Sequence, residues 1–347
     1  MLERVIEAFG LNKEPATITP ICQGLINHSW KVKTGGEEFV LQQINEHVFK
    51  QPEAIAHNIA LISHYLREQQ PGYYFISPVK AVNGEQLVQL DGVGCFRLYP
   101  FVKNSHSIDV VQTPEQAYEA AAQFGKFTAS LSGFDAQQLK TTIPHFHNLT
   151  KRFADFSDAI KKADAGRLKE GHALVQSLLS LSVIVDEYEE MKQMPGFVQR
   201  VTHHDTKISN VLFDDKDKGI CVIDLDTVMP GYFTSDVGDM MRTYLCPVNE
   251  EETDLSAIEI RKEYFEAIVN GYLSHMQHHL SGTEAGYFQS AGRFMIYMQA
   301  LRFLADYLTG DQYYQAAHPQ QNLLRAKNQF VLLQRFQAFV NEVPVLL

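Results

Sequence analysis

Short runs in which apolar and polar residues alternate occupy much of the first hundred positions, and two helical stretches lie among them. Apolar residues recur at helical spacing over residues 1–10 and 51–70, and Pro52 suits the first turn of the second helix. The strand-like runs are bounded by turn residues. They are 17–22, 29–33, 38–42, 79–81, 86–90 and 94–100. The Asn83-Gly84 pair predicts a type I′ hairpin between the runs 79–81 and 86–90.

Helical periodicity dominates the remainder of the chain. A Thr113-Pro114-Glu115 start predicts a helix to about residue 131, and apolar positions recurring from 172 to 194 predict one long helix that ends at Pro195-Gly196. Residues 255–340 are predicted to be helical as well. No internal repeat or low-complexity segment interrupts the pattern.

A polar loop at residues 201–210 breaks the helical region and is followed by two short apolar runs. The loop reads His203-x-Asp205-x-x-x-x-Asn210, and a hairpin formed by the two runs would bring Asp224 back beside Asn210. The two runs are 211–214 and 220–224. An Asp that takes the proton of an acceptor hydroxyl, with an Asn and a second Asp that hold Mg²⁺ against nucleotide phosphates, is the layout of a phosphoryl-transfer site.

The same stretch resembles the aminoglycoside phosphotransferase and choline kinase family, relatives of the protein kinases, and within it the N-acetylhexosamine 1-kinases. The resemblance covers nearly the whole chain and is most specific at 202–231 and around Arg302. It implies an α+β, protein-kinase-like fold with two lobes. The N-lobe (1–101) would cover the nucleotide with a β-sheet and include one long helix. The C-lobe (102–347) would hold the catalytic loop, the metal site and a helical substrate region.

The resemblance also implies a reaction and roles for the polar residues. ATP and Mg²⁺ would serve transfer of the γ-phosphoryl group to the anomeric 1-hydroxyl of N-acetylglucosamine or N-acetylgalactosamine. Asp205 would orient or deprotonate that hydroxyl. The predicted metal ligands are Asn210, Asp224 and Asp226, and the predicted structural supports are His203 and Asp236.

Two positions in the N-lobe depart from the common kinase pattern. The first turn carries the single glycine Gly24, so backbone donors and nearby polar side chains are predicted to cover the phosphates. Those side chains are Asn27, His28 and Ser29. The third strand carries Gln42 where most kinases place a lysine. Gln42 is either a nucleotide contact or a strand residue that faces solvent.

Further contacts are predicted outside the polar loop. Tyr99 and Phe101 resemble the hinge between kinase lobes and would flank adenine, unless they form a plain strand end. The predicted substrate contacts are His28, Asp205, Arg302 and Tyr313. Arg302 could alternatively pair with Asp306 one helical turn on.

Composition narrows the classes of partner. The chain has 347 residues and a formal charge of −11, which argues against a nucleic-acid partner. Its four cysteines form no Cys-x-x-Cys pair, so neither a zinc site nor a disulfide framework is indicated. Neither a membrane-spanning run nor a signal-peptide layout is found, so we expect a cytoplasmic protein without a membrane partner. Composition leaves the oligomeric state open.

Two rival functions remain. A kinase for an aminoglycoside, choline or an amino-alcohol would use carboxylates around a cationic substrate, and Glu250-Glu251-Glu252-x-Asp254 is such a cluster, although a solvated loop also explains it. A nucleotide-binding scaffold without turnover would fit Gln42 and the glycine-poor turn. The scaffold, however, has no need of Asp205.

Overall fold

The N-lobe is built on a five-stranded antiparallel sheet with the strand order β1-β2-β3-β5-β4. The computed structural model describes residues 2–11, 16–21, 26–314 and 316–343. The N-lobe elements are α1 (Leu2–Ala8), β1 (Thr17–Ile21), β2 (His28–Thr34), β3 (Glu37–Ile44), α2 (Pro52–Gln69), β4 (Val88–Leu90) and β5 (Gly94–Pro100). The predicted helices and the first three predicted strands are therefore confirmed. Part of the predicted phosphate-covering turn, residues 22–25 with Gly24, lies outside the described residues.

The two faces of this sheet have different partners. One face packs against α1 in a small apolar cluster whose members are Val5, Ile6, Phe9, Val32, Phe39, Leu41, Ala81, Val88, Phe96 and Leu98. On the other face the register places Ser29 opposite Gln42 and Gln42 opposite Arg97. Directly opposed residues share a face, so these three polar side chains form one row. That row faces the C-lobe, because Arg97 pairs there with Asp226.

The C-lobe is mainly helical and surrounds a single large apolar cluster. Its elements are β6 (His106–Ser107), α3 (Pro114–Ser130), α4 (Leu149–Lys162), α5 (Ala165–Ser180), α6 (Val183–Gln193), β7 (Arg200–Thr202), β8 (Val211–Phe213), β9 (Gly219–Val222), β10 (Met229–Gly231), α7 (Phe233–Tyr244), α8 (Lys262–Met276), α9 (Gly282–Ala285), α10 (Phe288–Leu308) and α11 (Gln321–Glu342). The largely buried α10 packs against α4, α7 and α11. Two small sheets, β6-β8-β9 and β7-β10, lie beside this core and bracket the polar loop.

Helix α2 belongs to the N-lobe in sequence but packs on the C-lobe. Its apolar face, which includes Ile55 and Ile62, is part of the large cluster. The fully buried Asn58 donates to the carbonyls of Lys140 (2.8 Å) and Val228 (2.9 Å) and accepts the Lys140 N–H (2.8 Å). A buried amide needs such partners. Asn58 therefore ties α2 to the segment that follows Asp224.

Two predicted elements and one predicted turn type are wrong. The helix predicted over 172–194 is two helices, α5 and α6, separated by a turn at Leu181-Ser182. Both helices bury their apolar residues in the same cluster, so the apolar period continues through the turn. Residues 79–81 form no strand, because Val79 makes one bond to Leu98 of β5 (2.7 Å) before the chain turns back. In that turn Gly84 has positive φ and Asn83 does not, so it is not type I′.

Candidate active site

The polar loop is held by carboxylates at the start of α7. Asp236 is 1% exposed, and its two oxygens accept the N–H groups of His203 (3.0 Å) and His204 (2.7 Å). Burial raises the pKa of Asp236 to about 7, against the opposing effect of these two donors. Asp239, which the sequence did not single out, accepts the Thr206 N–H at 2.9 Å. The loop backbone is thus fixed at three successive points by α7.

The two histidine rings of the loop are buried and serve as packing groups. The Nδ1 atom of His204 lies 3.1 Å from the Thr202 carbonyl and 3.2 Å from the Thr227 carbonyl. The Nε2 atom of His203 lies 3.0 Å from the Ile223 carbonyl. Burial lowers the pKa of His204 to about 4, so its imidazole is neutral at physiological pH. These contacts fix the peptide on the N-terminal side of Asp205.

Asp205 has one occupied and one available carboxylate oxygen. Its Oδ2 accepts the Asn210 amide at 3.0 Å and lies 3.1 Å from the Lys207 Nζ atom. Among the described residues, none donates to Oδ1. Asp205 is partly exposed, and the charge of Asp205 is the main reason why the pKa of Lys207 is raised. An oriented carboxylate with one open oxygen can accept a proton from a bound hydroxyl.

The β8–β9 hairpin brings Asp224 to Asn210. The Ile223 N–H donates to the Asn210 carbonyl at 2.8 Å, and Asp224 follows in the left-handed region at φ 59°. The Asn210 amide nitrogen donates to the backbone and side chain of Asp205, and no described residue donates to the amide oxygen, which suits that oxygen to bind a cation. The predicted hairpin is thus confirmed.

The surroundings of Asp224 fit a divalent cation. Part of its side chain is exposed to solvent, yet desolvation by the surrounding protein, together with the carboxylates of Asp226 and Asp205, raises its pKa to about 7. A cation would relieve this clustering of negative charge. No three His, Cys, Asp or Glu side chains converge as a metal site in the described part of the chain. Asn210 and Asp224 would thus supply two oxygens, with phosphates and water completing the shell that Mg²⁺ prefers.

Asp226 contacts the N-lobe. One of its oxygens pairs with the Arg97 guanidinium, and the other accepts the Asn27 amide at 2.7 Å. The Nε of Arg97 donates to Gln42 at 3.0 Å, and Gln42 donates to Ser29 at 3.2 Å. The role of Asp226 as a metal ligand stays a prediction, as do the nucleotide contacts of Asn27, Ser29 and Gln42. Sequence reasoning missed Arg97, although an arginine within the otherwise apolar β5 signals a buried charge that needs a partner.

The hinge candidates lie at the end of β5 and just beyond it. The Tyr99 ring is 5.3 Å from the Arg97 guanidinium, and burial raises the pKa of Tyr99 to about 12. The Phe101 N–H donates to the Glu38 carbonyl at 3.0 Å, and the Lys31 Nζ lies 3.7 Å from the centre of the Phe101 ring. Phe101 is thereby fixed to the sheet. Adenine contact by these two rings stays a prediction.

Arg302 of α10 lies among aromatic rings. Its guanidinium is 5.5 Å from the ring of Phe146, 5.7 Å from Tyr313 and 5.4 Å from Tyr314. Its hydrogen-bond partner is the neutral Gln299, at 3.2 Å. The Phe146 ring is 6.4 Å from the ring of His204, which connects this aromatic group to the polar loop.

The alternative pairing of Arg302 with Asp306 is not formed. Asp306 instead accepts the N–H groups of Gln312 (2.9 Å) and Tyr313 (2.8 Å), and so shapes the loop after α10. The Tyr313 side chain is 60% exposed. His28 is exposed on β2, where its ring lies 6.3 Å from Trp30. In the described residues no contact joins His28 to the polar loop, and its role as a substrate contact stays a prediction.

A known family matches most of the chain. Residues 17–274 match the family described as the phosphotransferase enzyme family, APH. The chain belongs to this family. Its fold is α+β and kinase-like, with a β-sheet N-lobe and a larger helical C-lobe. Among the helices of the described residues, none is long and apolar enough to span a membrane.

Solved structures share this fold at low sequence identity. A spectinomycin phosphotransferase in complex with ADP and spectinomycin is 15% identical, with a TM-score of 0.59 and 97% of each chain covered. A microcompartment-associated aminopropanol kinase is 15% identical, with a TM-score of 0.60 and 98% of each chain covered. A Plasmodium vivax ethanolamine kinase is 13% identical, with a TM-score of 0.62, covering 97% of this chain and 89% of its own.

Proposed function

We propose that this phosphotransferase moves the γ-phosphoryl group of ATP to a hydroxyl of a small molecule, and that its acceptor is the anomeric hydroxyl of an N-acetylhexosamine. The observation that carries the first part is the geometry of Asp205. Asn210 and Lys207 hold one of its oxygens, and no described residue donates to the other. A scaffold that only binds nucleotide has no use for such an oriented base.

Asp205 accepts the proton of the acceptor hydroxyl as that oxygen forms its bond to the γ-phosphorus and the bond from phosphorus to the ADP oxygen breaks. Asn210 and Asp224 would hold Mg²⁺, and the ion would supply positive charge against the phosphates. Asp236 and Asp239 keep the loop backbone fixed, so that Asp205 does not reorganise during transfer. The rate gain comes mainly from positioning and charge neutralisation.

The positive charge of Arg302 supports an uncharged acceptor. Arg302 donates hydrogen bonds and accepts none, so it suits the hydroxyl and acetyl oxygens of a sugar and repels a cation. The aromatic rings around it would give an apolar surface for the sugar ring. The acidic cluster after α7 is already neutralised in part: Glu250 pairs with Arg242 at 2.9 Å, and Glu251 pairs with Arg325.

A cationic amino-alcohol or aminoglycoside is the second candidate acceptor. Spectinomycin, aminopropanol and ethanolamine kinases share the fold, which favours this candidate. It would have to bind despite Arg302, for example through Asp239 or Glu250 after displacement of Arg242.

The test is Mg²⁺- and ATP-dependent phosphorylation of a panel, with the product position read by phosphorus NMR. The panel holds N-acetylglucosamine, N-acetylgalactosamine, glucose, galactose, choline, ethanolamine and kanamycin. We expect an anomeric phosphate on an N-acetylhexosamine, and an increased KM for that sugar in Arg302→Gln with ATP affinity unchanged. Turnover confined to the cationic acceptors would overturn the sugar assignment and keep the phosphotransferase. Lys169→Gln, an exposed cation change in α5, is the matched control.

A further inference from the structure

A buried cation lies where the N-lobe sheet meets the loop after Asp224. Arg97 is 1% exposed, and its partner Asp226 is 2% exposed. Arg97 is on β5 and Asp226 lies 129 positions later, two residues beyond the predicted metal ligand Asp224. The pair therefore links the sheet above the cleft to the segment that carries the metal site.

Stability alone is a poor reason for such a pair. Removing two charges from water carries a large desolvation penalty, and apolar side chains of similar volume often serve the fold as well or better. A cation fixed beside a nucleotide site does have a chemical use, because ATP phosphates carry several negative charges. In kinases a lysine of the third strand, paired with a glutamate of a helix, performs that task.

The third strand of this chain has no such lysine, but the register places a cation on the neighbouring strand, opposite the corresponding residue. Gln42 of β3 lies directly opposite Arg97 of β5, and the side-chain Oε1 of Gln42 accepts the Arg97 Nε–H at 3.0 Å. The amide nitrogen of Gln42 donates to Ser29 at 3.2 Å, which fixes its orientation. Arg97 thus projects from the same face of the sheet as residue 42, one strand further along.

We propose that Arg97 binds the nucleotide phosphates in place of the third-strand lysine, with Asp226 as its acidic partner and Gln42 as its positioning residue. This inference rests on the proposed function. It also gives Asp226 a role other than metal ligand. Both Asp226 oxygens already accept donors from the N-lobe, Arg97 on one and Asn27 on the other.

The experiment measures binding of adenosine, AMP, ADP and ATP in EDTA by calorimetry, so that the metal does not contribute. Arg97→Gln should weaken ADP and ATP binding by about 10- to 100-fold, the loss expected for a charged hydrogen-bonded contact, and change adenosine binding by less than about 2-fold. Lys33→Gln removes an exposed cation from the same sheet and should change neither nucleotide binding nor adenosine binding.

Two further variants guard against misfolding. Arg97→Lys keeps the charge but cannot contact Gln42 and Asp226 together, so it should retain more of the ADP affinity than Arg97→Gln does and less than the wild type. Gln42→Lys combined with Arg97→Gln returns the cation to the third strand and should recover at least about 5-fold of the lost ADP affinity. Recovery by a displaced cation is not expected of a group that only packs.

Asp226→Asn separates the two roles of that residue. If Asp226 is the partner of Arg97, the substitution should weaken metal-free ADP binding. If Asp226 is a metal ligand, the substitution would leave metal-free ADP binding unchanged and reduce only the effect of Mg²⁺. Equal losses for adenosine and ADP in Arg97→Gln, or no recovery in the exchanged variant, would overturn the inference. A wild-type chain that binds no ADP would overturn the proposed function itself, and the inference with it.

Discussion

Replacing Asp236 by Asn tests whether α7 holds the polar loop as described. Asp236 accepts two backbone N–H groups, one on each oxygen. An amide can accept only one of them and turns its own NH₂ toward the other. One charge-assisted hydrogen bond is lost and one buried N–H is left without a partner. Together these two changes should lower the free energy of unfolding by about 2–4 kcal/mol. Part of this cost is offset because a buried charge is removed as well.

The loss should appear in both stability and activity. We expect the midpoint of thermal unfolding to fall by about 4–8 °C. We expect kcat to fall at least about 10-fold while KM for ATP changes little, because the displaced peptides precede Asp205 directly. Asp135→Asn is the matched control, since Asp135 is an exposed cap that accepts the Gln137 N–H at 3.0 Å, and Asn caps equally well. Wild-type melting together with wild-type kcat in Asp236→Asn would refute the support assigned to α7.

Two other predictions concern the metal site and the packing behind the loop. The pKa of Asp224 is raised to about 7, so protons compete with Mg²⁺ for this carboxylate below that pH. The Mg²⁺ concentration that gives half-maximal activity should therefore fall as pH rises from about 6 to 8. If that Mg²⁺ concentration does not depend on pH, Asp224 is not a metal ligand. Gly231→Ala would place a methyl group against the His204 ring and should reduce kcat, whereas Gly282→Ala, with no atom near the added carbon, should be neutral in kinetics and melting. Normal kcat in Gly231→Ala would show that the ring can move without consequence.

The geometry of the polar loop was predictable because its parts are close in sequence. Asp205 and Asn210 lie on one loop, and the hairpin needed to return Asp224 is marked by two short apolar runs around a charged turn. Local patterns of this kind carry their own geometry. The strands of the N-lobe sheet were predictable for the same reason.

Contacts between distant segments were not predictable in this way. The partner of Arg97 is 129 positions away, and nothing near residue 97 indicates which acid it meets. The division of residues 172–194 into α5 and α6 was hidden because both helices bury apolar residues in one cluster. Periodicity reports which face is buried and does not report whether the backbone turns between two segments that share that face.

The most direct test of the account is the rate of phosphoryl transfer by Asp205→Asn, measured with Mg²⁺, ATP and the preferred acceptor of the panel. The amide keeps the shape of the side chain and removes its ability to take a proton. We predict a fall in kcat of about 10²- to 10⁴-fold with native melting and native nucleotide affinity. Asp215→Asn, the same change at an exposed position of the β8–β9 turn, should retain full activity. Near-normal turnover by Asp205→Asn would show that this carboxylate is not the base.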